Sequence, residues 1–549
     1  MNRNENLERI KAEHFDVCVI GAGASGAGVA LDAALRGLKV TLIDRGDFSC
    51  ETSSKSTKLI HGGVRYLEQA FKNFDFGQLK QVKHGLAERK YLLSNGSHLS
   101  HSLGIITPVF SFIEGLYYTI GLKMYGWFAK NDHLPAARWL SKKEMILGSP
   151  DITKKAHSAV MYFDGQLDDA RFALALSQTA HQQRVATANY LELVDFKKDS
   201  SNKIIGANLS NLINGESFEI KSKIFVNCTG PFADHLRLKA NPTEEARIKP
   251  SKGVHIVIPK KYFSGEKALL IPKTNDGRLV FVIPFQSEIM IGTTDTKYDN
   301  LNEEPLLNNS EIDYLLETAE RYLKAIPNKN EIKSGFGGIR PLISAKKKNP
   351  NDTKTLLRDH EVEIDEESGL ISLLGGKWTT YRLMAQDTCD AICEILNNKN
   401  ECQTKDFKLL GSQTVFGTKR PENFPLECFE HLISSYGDQT PKILSLIERR
   451  PELLSKIHLD YPFIKAEVIY SCQYEMAQKL RDFFARRTRW EILDWNTCLE
   501  SIETVAELMQ ESLEWDSDRK NLEAESYKVL LEKFKTVAST STLPKNSLI

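Results

Sequence analysis

The chain has 549 residues, which is more than a single hydrophobic core usually serves, so we expect two or three domains. Lys plus Arg and Asp plus Glu both total 72, and this balance excludes a general attraction to nucleic acid or any other polyanion. The nine cysteines include no C-x-x-C pair, which predicts reduced thiols in an intracellular protein. Cys389 and Cys393 are four residues apart, but no nearby His or Cys completes a metal site, so none is predicted.

The polar segment 1–16, MNRNENLERIKAEHFD, predicts neither a signal peptide nor a membrane anchor. From His14 to Asp47 the chain has the order strand, glycine turn, helix, strand, acid. An apolar run at 17–20 predicts a buried strand, and a second strand at 39–43 ends at Asp44. The Asp44 carboxylate can accept hydrogen bonds from the hydroxyls of an unphosphorylated ribose. This order predicts a dinucleotide site, whereas a glycine turn alone also suits an ordinary strand-helix-strand unit.

The G-x-G-x-x-G turn consists of Gly21, Gly23 and Gly26, and each glycine has its own mechanical role. Gly21 permits the tight turn, Gly23 lets the backbone approach a pyrophosphate, and Gly26 lets the helix pack on the strand. The pyrophosphate then lies at the helix N-terminus, where unpaired N–H groups and the helix dipole favour negative charge. Further predicted cofactor contacts in this unit are Ala22, Ser25 and Arg45.

The polar run TSSKSTKLIHGGVRYLEQ begins at Thr52 and allows two interpretations. It is either a solvated loop with Thr52 or Ser53 as the N-cap of a helix, or a cofactor-binding loop. In the second interpretation its hydroxyls and N–H groups bind the cofactor, while Lys58, His61 and Arg65 project into an active site. The cofactor contacts predicted from this loop are Thr52, Ser53, Ser54, Lys58 and Ile60.

The segment 102–130, SLGIITPVFSFIEGLYYTIGLKMYGWFAK, is aromatic and apolar. Pro108, Glu114 and Lys123 interrupt it, so no run approaches the ~20 residues that a membrane-spanning helix needs. The segment is either a helix buried in a second domain or a helix that lies on a bilayer with its aromatic rings at the interface.

Beyond residue 150, a helix alternates with short β runs up to 225, which predicts strands added to the first domain, and VNCTG at 226–230 ends another strand. Residues 247–300 are rich in β patterns. From about Asp406 the composition changes to amphipathic helices, and the tail from Ser539 is predicted to be disordered.

The glycine turn and the TSSKSTKLIHGGVRYLEQ run together resemble the FAD-dependent glycerol-3-phosphate dehydrogenase family, which oxidises sn-glycerol 3-phosphate to dihydroxyacetone phosphate. The resemblance continues, in the family's order, through nearly all of residues 14–390. The further motifs are FDGQLDDARFALAL (163–176), VNCTGPFAD (226–234), KGVHIVIP (252–259), FVIPF (281–285), IGTTDT (291–296), GFGGIRPL (335–342), LLRDHEV (356–362) and LLGGKWTTYR (373–382). The segment 472–495 is similar to the family's helical carboxy-terminal domain.

The resemblance implies an α/β fold in which a Rossmann-like FAD-binding domain is interleaved with an antiparallel β-sheet substrate domain, followed by an all-α domain. The implied boundaries are 14–100, 150–245 and 335–400 for the FAD-binding domain, 101–149 and 246–334 for the substrate domain, 404–538 for the helical domain and 539–549 for the tail.

The family's site residues correspond to positions of this chain. Arg340 in GGIRP and Arg358 in LLRDH match arginines of a phosphate pocket, with Arg65 as a further contact, and guanidinium groups suit this role because they bind phosphate oxygens bidentately. Lys377 precedes a helix whose N-terminus would stabilise negative charge on the reduced flavin. His61 is the first candidate for the general base, and His255 and Lys252 are rivals. The implied flavin contacts are Thr229, Gly230, Gly375, Gly376, Thr379 and Thr380.

The implied function is the oxidation of sn-glycerol 3-phosphate by hydride transfer to FAD, with electrons passed to a membrane quinone. A glycerol-3-phosphate oxidase that uses oxygen, an amine or amino-acid oxidase and a flavin-binding sensor without turnover are alternatives. Peripheral attachment to the cytoplasmic face of the inner membrane through 102–130 is expected. The RRTR run at 486–489 is a second lipid contact, or else a helix face paired with Asp482 or Glu491. A homodimer is left open.

Overall fold

The computed structural model describes residues 1–63, 76–129, 134–272, 274, 277–344, 360–414 and 417–539. The strands are β1 (His14–Ile20), β2 (Val40–Ile43), β3 (Leu59–Ile60), β4 (Ser100–Val109), β5 (Arg138–Leu140), β6 (Ser158–Leu167), β7 (Ala186–Ala188), β8 (Leu191–Lys198), β9 (Ile204–Asn211), β10 (Ser217–Asn227), β11 (Ile248–Ile258), β12 (Ala268–Ile271), β13 (Val280–Phe285), β14 (Glu288–Gly292), β15 (Thr296–Lys297), β16 (Ser334–Ile343), β17 (His360–Ile364) and β18 (Ile371–Gly375).

The helices are α1 (Arg3–Ala12), α2 (Ala24–Leu35), α3 (Phe76–Asn95), α4 (Phe112–Phe128), α5 (Lys142–Gly148), α6 (Asp169–Gln182), α7 (Ala233–Ala240), α8 (Asn309–Glu320), α9 (Tyr381–Leu396), α10 (Leu426–Tyr436), α11 (Thr440–Arg449), α12 (Lys465–Glu475), α13 (Trp495–Leu513) and α14 (Ser517–Ser539). Among the short helical turns, 3-10 turns at Thr52–Ser54 and Trp378–Thr380 and a π-helical turn at Asp482–Arg487 bear on the site.

The first sheet has the strand order β17-β18-β10-β1-β2-β7. β1 pairs in parallel with β10 and β2, as buried strands joined by crossover helices do. The antiparallel pair β8 and β9 extends the sheet from β10, which confirms the strands predicted between 150 and 225. The glycine turn follows the carboxyl end of β1, which is the edge where parallel sheets of this kind bind ligands.

The second sheet has the order β15-β11-β14-β13-β12-β4-β6-β3, with β16 paired to β11 and β5 to β6. The short strand β3 falls inside the residue ranges predicted for the FAD-binding domain, although it pairs with β6 of this sheet. Two longer strands of the sheet, β6 and β16, fall inside those ranges as well. Each pairs antiparallel with a strand of the predicted substrate domain, β4 or β11. An apolar strand has the same residue pattern in either sheet, so pattern alone could not assign these two.

The carboxy-terminal part, from α10 to α14, is helical, as predicted. Its large apolar side chains, including Tyr461, Trp490 and Phe534, belong to the same hydrophobic core as Val254 of β11 and Ile291 of β14. The helical part and the second sheet therefore share one core. Within the described residues, every helix is too short or too polar to cross a membrane.

The apolar segment 102–130 divides into two parts. Residues 102–109 lie in β4, a mostly buried strand, so the expectation of one continuous helix was wrong there. β4 lies between β6 and β12 in the sheet, and its consecutive residues 103–109 are all buried, so both faces of this part of the strand are covered. The second part forms α4, which buries Gly115, Leu122 and Tyr125 and leaves several apolar side chains exposed.

Candidate active site

A cavity of about 810 Å³ runs from the glycine turn of the first sheet to the antiparallel strands of the second. Most predicted cofactor contacts line it: Gly21, Gly23, Ser25, Asp44, Arg45, Thr52, Ser53, Thr229, Gly230, Gly375, Gly376 and Thr379. Among the predicted reaction residues, His61, His255, Arg340 and Lys377 line it as well. Arg65 and Arg358 lie outside the residues that the structure describes.

The turn glycines have the close contacts that their predicted roles require. Gly21 has a φ of +100°, and a Cβ there would lie 2.7 Å from the carbonyl oxygen of Cys228, which directly follows β10. A Cβ at Gly26 would overlap the carbonyl oxygen of Gly21, so only glycine lets α2 pack on the end of β1. A Cβ at Gly23 would lie 2.8 Å from the Ser53 hydroxyl.

Asp44 fixes the glycine turn from the end of β2. Its two carboxylate oxygens accept the backbone N–H groups of Ala22 at 2.6 Å and Gly46 at 2.8 Å. Burial raises the pKa of Asp44 to about 6 although these two N–H groups oppose the shift. Each carboxylate oxygen has two lone pairs, so Asp44 can still accept ribose hydroxyls from the cavity side.

The loop from Ser49 to Thr57 is a wall of the cavity, and the alternative of a solvated loop was wrong. Ser53 accepts the N–H of Ala24, at the start of α2, on its hydroxyl at 2.9 Å. Its carbonyl accepts the indole N–H of Trp378 at 2.9 Å. The Thr52 hydroxyl donates to the carbonyl of Ile339 on β16 at 2.6 Å. The loop thereby joins the glycine turn, the start of α9 and the second sheet.

Six predicted cofactor contacts do not line the cavity: Ala22, Gly26, Ser54, Lys58, Ile60 and Thr380. Lys58 is the clear correction, because its ammonium is fully buried and paired with Asp169 at 2.8 Å. Burial lowers the pKa of Lys58 to about 8 although Asp169 opposes the shift. A buried lysine with its own counter-ion serves the structure of the loop.

His255 lies at the reaction end between two neighbours on adjacent strands. Its ring stacks on Phe336 of β16 with centroids 4.8 Å apart, and Gly292 of β14 leaves room for it. Its Nε2 and the Thr57 hydroxyl are hydrogen-bonded at 3.0 Å. Burial, with Lys58 and Arg340 nearby, holds the pKa of His255 well below its usual range, so the ring is neutral.

His61 directly follows β3 and lines the same cavity. Burial, and then the positive charges of Lys377 and Arg89, lower its pKa to about 4. The imidazole is therefore neutral at physiological pH. The next residue, Gly62, donates its N–H to the hydroxyl of Tyr125 of α4 at 2.7 Å, which fixes the backbone of this turn.

Arg340 on β16 reaches over Gly253 of β11 into the cavity. Its guanidinium donates to the Thr293 hydroxyl at 3.2 Å and the Thr294 carbonyl at 3.0 Å, and it pairs with Asp295 at 3.4 Å. The group is half-buried and held in place at the cavity, and a guanidinium so placed suits an anionic ligand.

Lys252 points away from the cavity. Its ammonium binds Glu311 of α8 and the carbonyl of Leu306, both at 2.9 Å. The choice of Lys252 as a rival base was wrong, because residues three apart on a strand face opposite sides of the sheet and His255 faces the cavity.

The chain after β18 approaches the cavity with two glycines at positive φ, Gly375 (+70°) and Gly376 (+87°). Lys377, Trp378 and Thr379 follow and line the cavity at the start of the turn that leads into α9. The helix start predicted near Trp378 is therefore present, and its place beside the flavin stays a prediction.

Several residues that line the cavity are not among the predicted site residues: Thr57, Tyr162, Asp164, Arg278, Asp295 and Trp378. Thr57, Asp295 and Trp378 lie inside motifs that had been noted. Thr57 is next to the predicted contact Lys58, and Trp378 is next to the predicted contact Thr379. No local pattern marks Tyr162 or Arg278, because they reach the cavity only through the pairing of distant strands.

The donors along the cavity suit FAD. An α-helix N-terminus and a glycine turn without Cβ obstruction lie at one end, an acid beside them fits a ribose, and neutral histidines with fixed cations lie at the other. A family described as FAD dependent oxidoreductase (DAO) matches residues 16–382. A second family, the C-terminal domain of alpha-glycerophosphate oxidase, matches residues 402–520. The fold and the site define an FAD-dependent oxidoreductase, and FAD is its cofactor.

Comparison with similar proteins shows which family of FAD-dependent oxidoreductases the chain belongs to. The chain is 38% identical to a mitochondrial glycerol-3-phosphate dehydrogenase of Arabidopsis thaliana over 96% of this chain and 87% of the relative. It is also 38% identical to the mitochondrial enzyme of Bos taurus, over 94% and 73%. The solved structure of the glycerol-3-phosphate dehydrogenase from Bacillus halodurans, complexed with FAD, matches with a TM-score of 0.76 and 26% identity over 98% and 99% of the two chains. The chain belongs to the FAD-dependent glycerol-3-phosphate dehydrogenase family.

Proposed function

We propose that this protein oxidises sn-glycerol 3-phosphate to dihydroxyacetone phosphate and passes the electrons to a membrane quinone. The observation that carries the proposal is the continuity of one cavity from the glycine turn to Arg340, His61 and His255. Such a cavity holds an FAD and a small phosphorylated alcohol together. The relatives are named for the same substrate.

When bound, FAD supplies the hydride acceptor for the alcohol carbon. The chain then has to bind a phosphate dianion and remove the hydroxyl proton. Arg340 suits the first task because Thr293, Thr294 and Asp295 fix its guanidinium in advance. We assign removal of the hydroxyl proton to His61, because its imidazole is neutral and can accept a proton. Lys377 lies near His61 and would orient the substrate hydroxyl.

The acceptor is tested by comparing a soluble quinone analogue without oxygen against oxygen alone, using the FAD-loaded enzyme and sn-glycerol 3-phosphate. We expect fast turnover with the quinone analogue and little hydrogen peroxide with oxygen. Peroxide formed mole for mole with substrate loss would show an oxidase. Absence of turnover with both acceptors would favour a flavin-binding sensor.

A quinone stays in the bilayer, so we further propose that the protein attaches peripherally to the cytoplasmic face of a membrane through α4. This helix exposes Ile113 (79%), Trp127 (68%), Phe112 (65%) and Ile120 (52%) to solvent. Such a row of aromatic and aliphatic side chains is typical of helices that lie at a lipid interface. Phe110 also packs on the ring of Tyr322, and Phe112 packs on the ring of Trp139, with centroids 5.5 Å apart in each pair. These two side chains therefore stabilise the fold as well.

The attachment is tested with the triple variant Ile113→Ser, Ile120→Ser, Trp127→Ser, which spares the packed phenylalanines. We expect it to leave vesicles that contain anionic lipid and to lose quinone-linked activity, while reduction of a soluble dye continues. The matched control is Leu459→Ser with Leu522→Ser, which removes exposed leucines from the helical part. If the α4 variant still sediments with the vesicles, the docking surface lies elsewhere.

A further inference from the structure

The RRTR run at the π-helical turn Asp482–Arg487 is buried, so its prediction as a lipid contact was wrong. Arg487 donates to both oxygens of Asp47, at 2.7 and 3.0 Å, and Arg486 donates to the same carboxylate at 2.6 Å. Asp47 lies three residues after Asp44. Burial alone would raise the pKa of Asp47, but the two guanidinium groups outweigh it and lower that pKa to about 2.

Arg489 holds a second point, at the far end of the same loop. Its Nη2 donates to the carbonyl of Ser54 at 2.6 Å and to Asp169 Oδ1 at 2.9 Å. The other oxygen of Asp169 accepts the N–H and hydroxyl of Ser56, at 2.9 and 2.7 Å, and the Lys58 ammonium at 2.8 Å. Arg489 and Asp169 therefore fix the chain on both sides of Lys55.

Between these two points runs the stretch that lines the FAD cavity, including Thr52 and Ser53. Its only regular structure is the 3-10 turn Thr52–Ser54. A stretch this short cannot hold one conformation by its own hydrogen bonds. Its shape depends on what it is anchored to, and two of those anchors come from residues more than 400 positions later in the chain.

We propose that the helical carboxy-terminal part is a clamp for FAD binding. Its positioning residues are Arg486, Arg487 and Arg489, which hold the 47–58 loop against the cofactor. The clamp acts on the cofactor end of the cavity and does not depend on which substrate or electron acceptor is used. It gives the all-α part a task in the FAD site without any contact of its own with the cavity.

The decisive variant is Arg489→Lys, which keeps the buried charge. The Arg489 guanidinium holds three groups at once, because Nη2 donates to Ser54 and Asp169 while Nη1 donates to the carbonyl of Ala485. A lysine ammonium is a point donor and cannot reproduce this fixed fork, so the joint hold on Ser54 and Asp169 is lost. Removing the charge outright would instead leave Asp169 with less compensation inside the protein and would confuse the result. The matched control is Arg36→Lys, because Arg36 is 2% exposed and paired with Asp32 and Asp390 at the far end of α2.

Three measurements on the purified holoenzyme separate positioning from general stability: the Kd for FAD, amide hydrogen exchange of the 47–58 peptide and the Tm. For Arg489→Lys we expect the Kd for FAD to rise about tenfold or more, since a charged hydrogen bond is lost, and exchange in 47–58 to accelerate. For Arg36→Lys we expect a lowered Tm with neither of the other changes. An Arg489→Lys protein with unchanged Kd and exchange would overturn the proposal, and so would an equal effect of Arg36→Lys.

If Arg489→Lys does not fold, Arg487→Lys decides the question at the other anchor. Arg486 still holds Asp47 there, so we expect a smaller, severalfold rise in the Kd for FAD with faster exchange near residue 47. Unchanged FAD affinity and exchange in that variant would refute the clamp.

Discussion

The two ends of the FAD cavity are built in opposite ways. The nucleotide end comes from one continuous segment, in which Gly26 packs against the Gly21 carbonyl and the Asp44 carboxylate accepts the backbone N–H of Ala22. The reaction end brings together three residues that are far apart in the chain: His61, which follows β3, His255 of β11 and Arg340 of β16. At the first end shape is decisive, because there is no room for a side chain. At the second end charge and protonation are decisive.

This difference predicts two kinds of failure. Damage at the nucleotide end should remove the cofactor, and with it every activity. Damage at the reaction end should leave a yellow, folded protein that turns over slowly. Four predictions, at Gly26, His61, Arg340 and Asp44, test this contrast.

The largest effect is expected for Gly26→Ala. The new Cβ would overlap the Gly21 carbonyl, which no rotamer change can relieve, so α2 has to leave β1. We expect a loss of about 3 kcal/mol or more in the free energy of unfolding and no retained flavin absorbance. Gly28→Ala, whose Cβ would meet the Tyr381 ring at 3.0 Å and the Ala385 Cβ at 3.2 Å, should lose about 1 kcal/mol and keep FAD.

Gly121→Ala on α4 controls for the substitution itself. Nothing lies within 4 Å of its Cβ, and alanine favours helix, so a gain of up to about 1 kcal/mol is expected. Normal flavin content in Gly26→Ala would contradict the shape argument for this end.

At the reaction end, His61→Asn should retain FAD and lower kcat by about 10²- to 10⁴-fold, as loss of a general base does. Because the pKa of His61 is about 4, kcat/KM of the parent enzyme should stay flat as pH falls to about 5 and decline below that, when the imidazole protonates. His255→Asn is the comparison. If it removes more of kcat than His61→Asn, the base assignment moves to His255.

Arg340→Ala should act mainly on KM, because it removes ground-state binding of the phosphate. A charged hydrogen bond contributes about 1.5–3 kcal/mol, so KM should rise roughly ten- to a hundredfold with FAD still bound. Steady-state kinetics with sn-glycerol 3-phosphate and the flavin spectrum check both parts. Loss of flavin from a folded Arg340→Ala protein would place this arginine at the cofactor instead.

The smallest effect is a pH dependence at Asp44. Burial raises the pKa of the Asp44 carboxyl group from its ordinary value near 3.8 to about 6. In the protein without FAD, this group is therefore mostly protonated between about pH 3.8 and about pH 6, where an ordinary aspartate has lost its proton. A ribose hydroxyl is accepted better by the carboxylate, so FAD binding expels that proton and weakens as pH falls below 6, by at most about tenfold per unit. Titration of FAD into the apoprotein at pH 5 and pH 7 measures this. Asp44→Asn should bind more weakly at pH 7 but lose the slope.

Sequence served the nucleotide end well because its contacts are local. Gly21 to Asp44 is one strand-helix-strand unit, and each residue type there answers a backbone requirement. Lys252 was an avoidable error, since a strand cannot present residues 252 and 255 on one face. The pairing of Arg486 with Asp482 was one of the predicted alternatives. The contacts of Arg486 and Arg487 with Asp47 were not foreseeable, because Asp47 lies about 440 residues away. The same limit hid the sheet membership of β6 and β16.

The core shared by the helical part and the second sheet has a consequence for cooperativity. Trp490 and Phe534 pack in the same apolar cluster as Val254 and Ile291, so neither part can melt without stripping contacts from the other. Calorimetry should therefore show the two absorbing heat in one transition. A chain cut near residue 404 should yield aggregating fragments, because the boundary there separates stretches of sequence and not independently folding units.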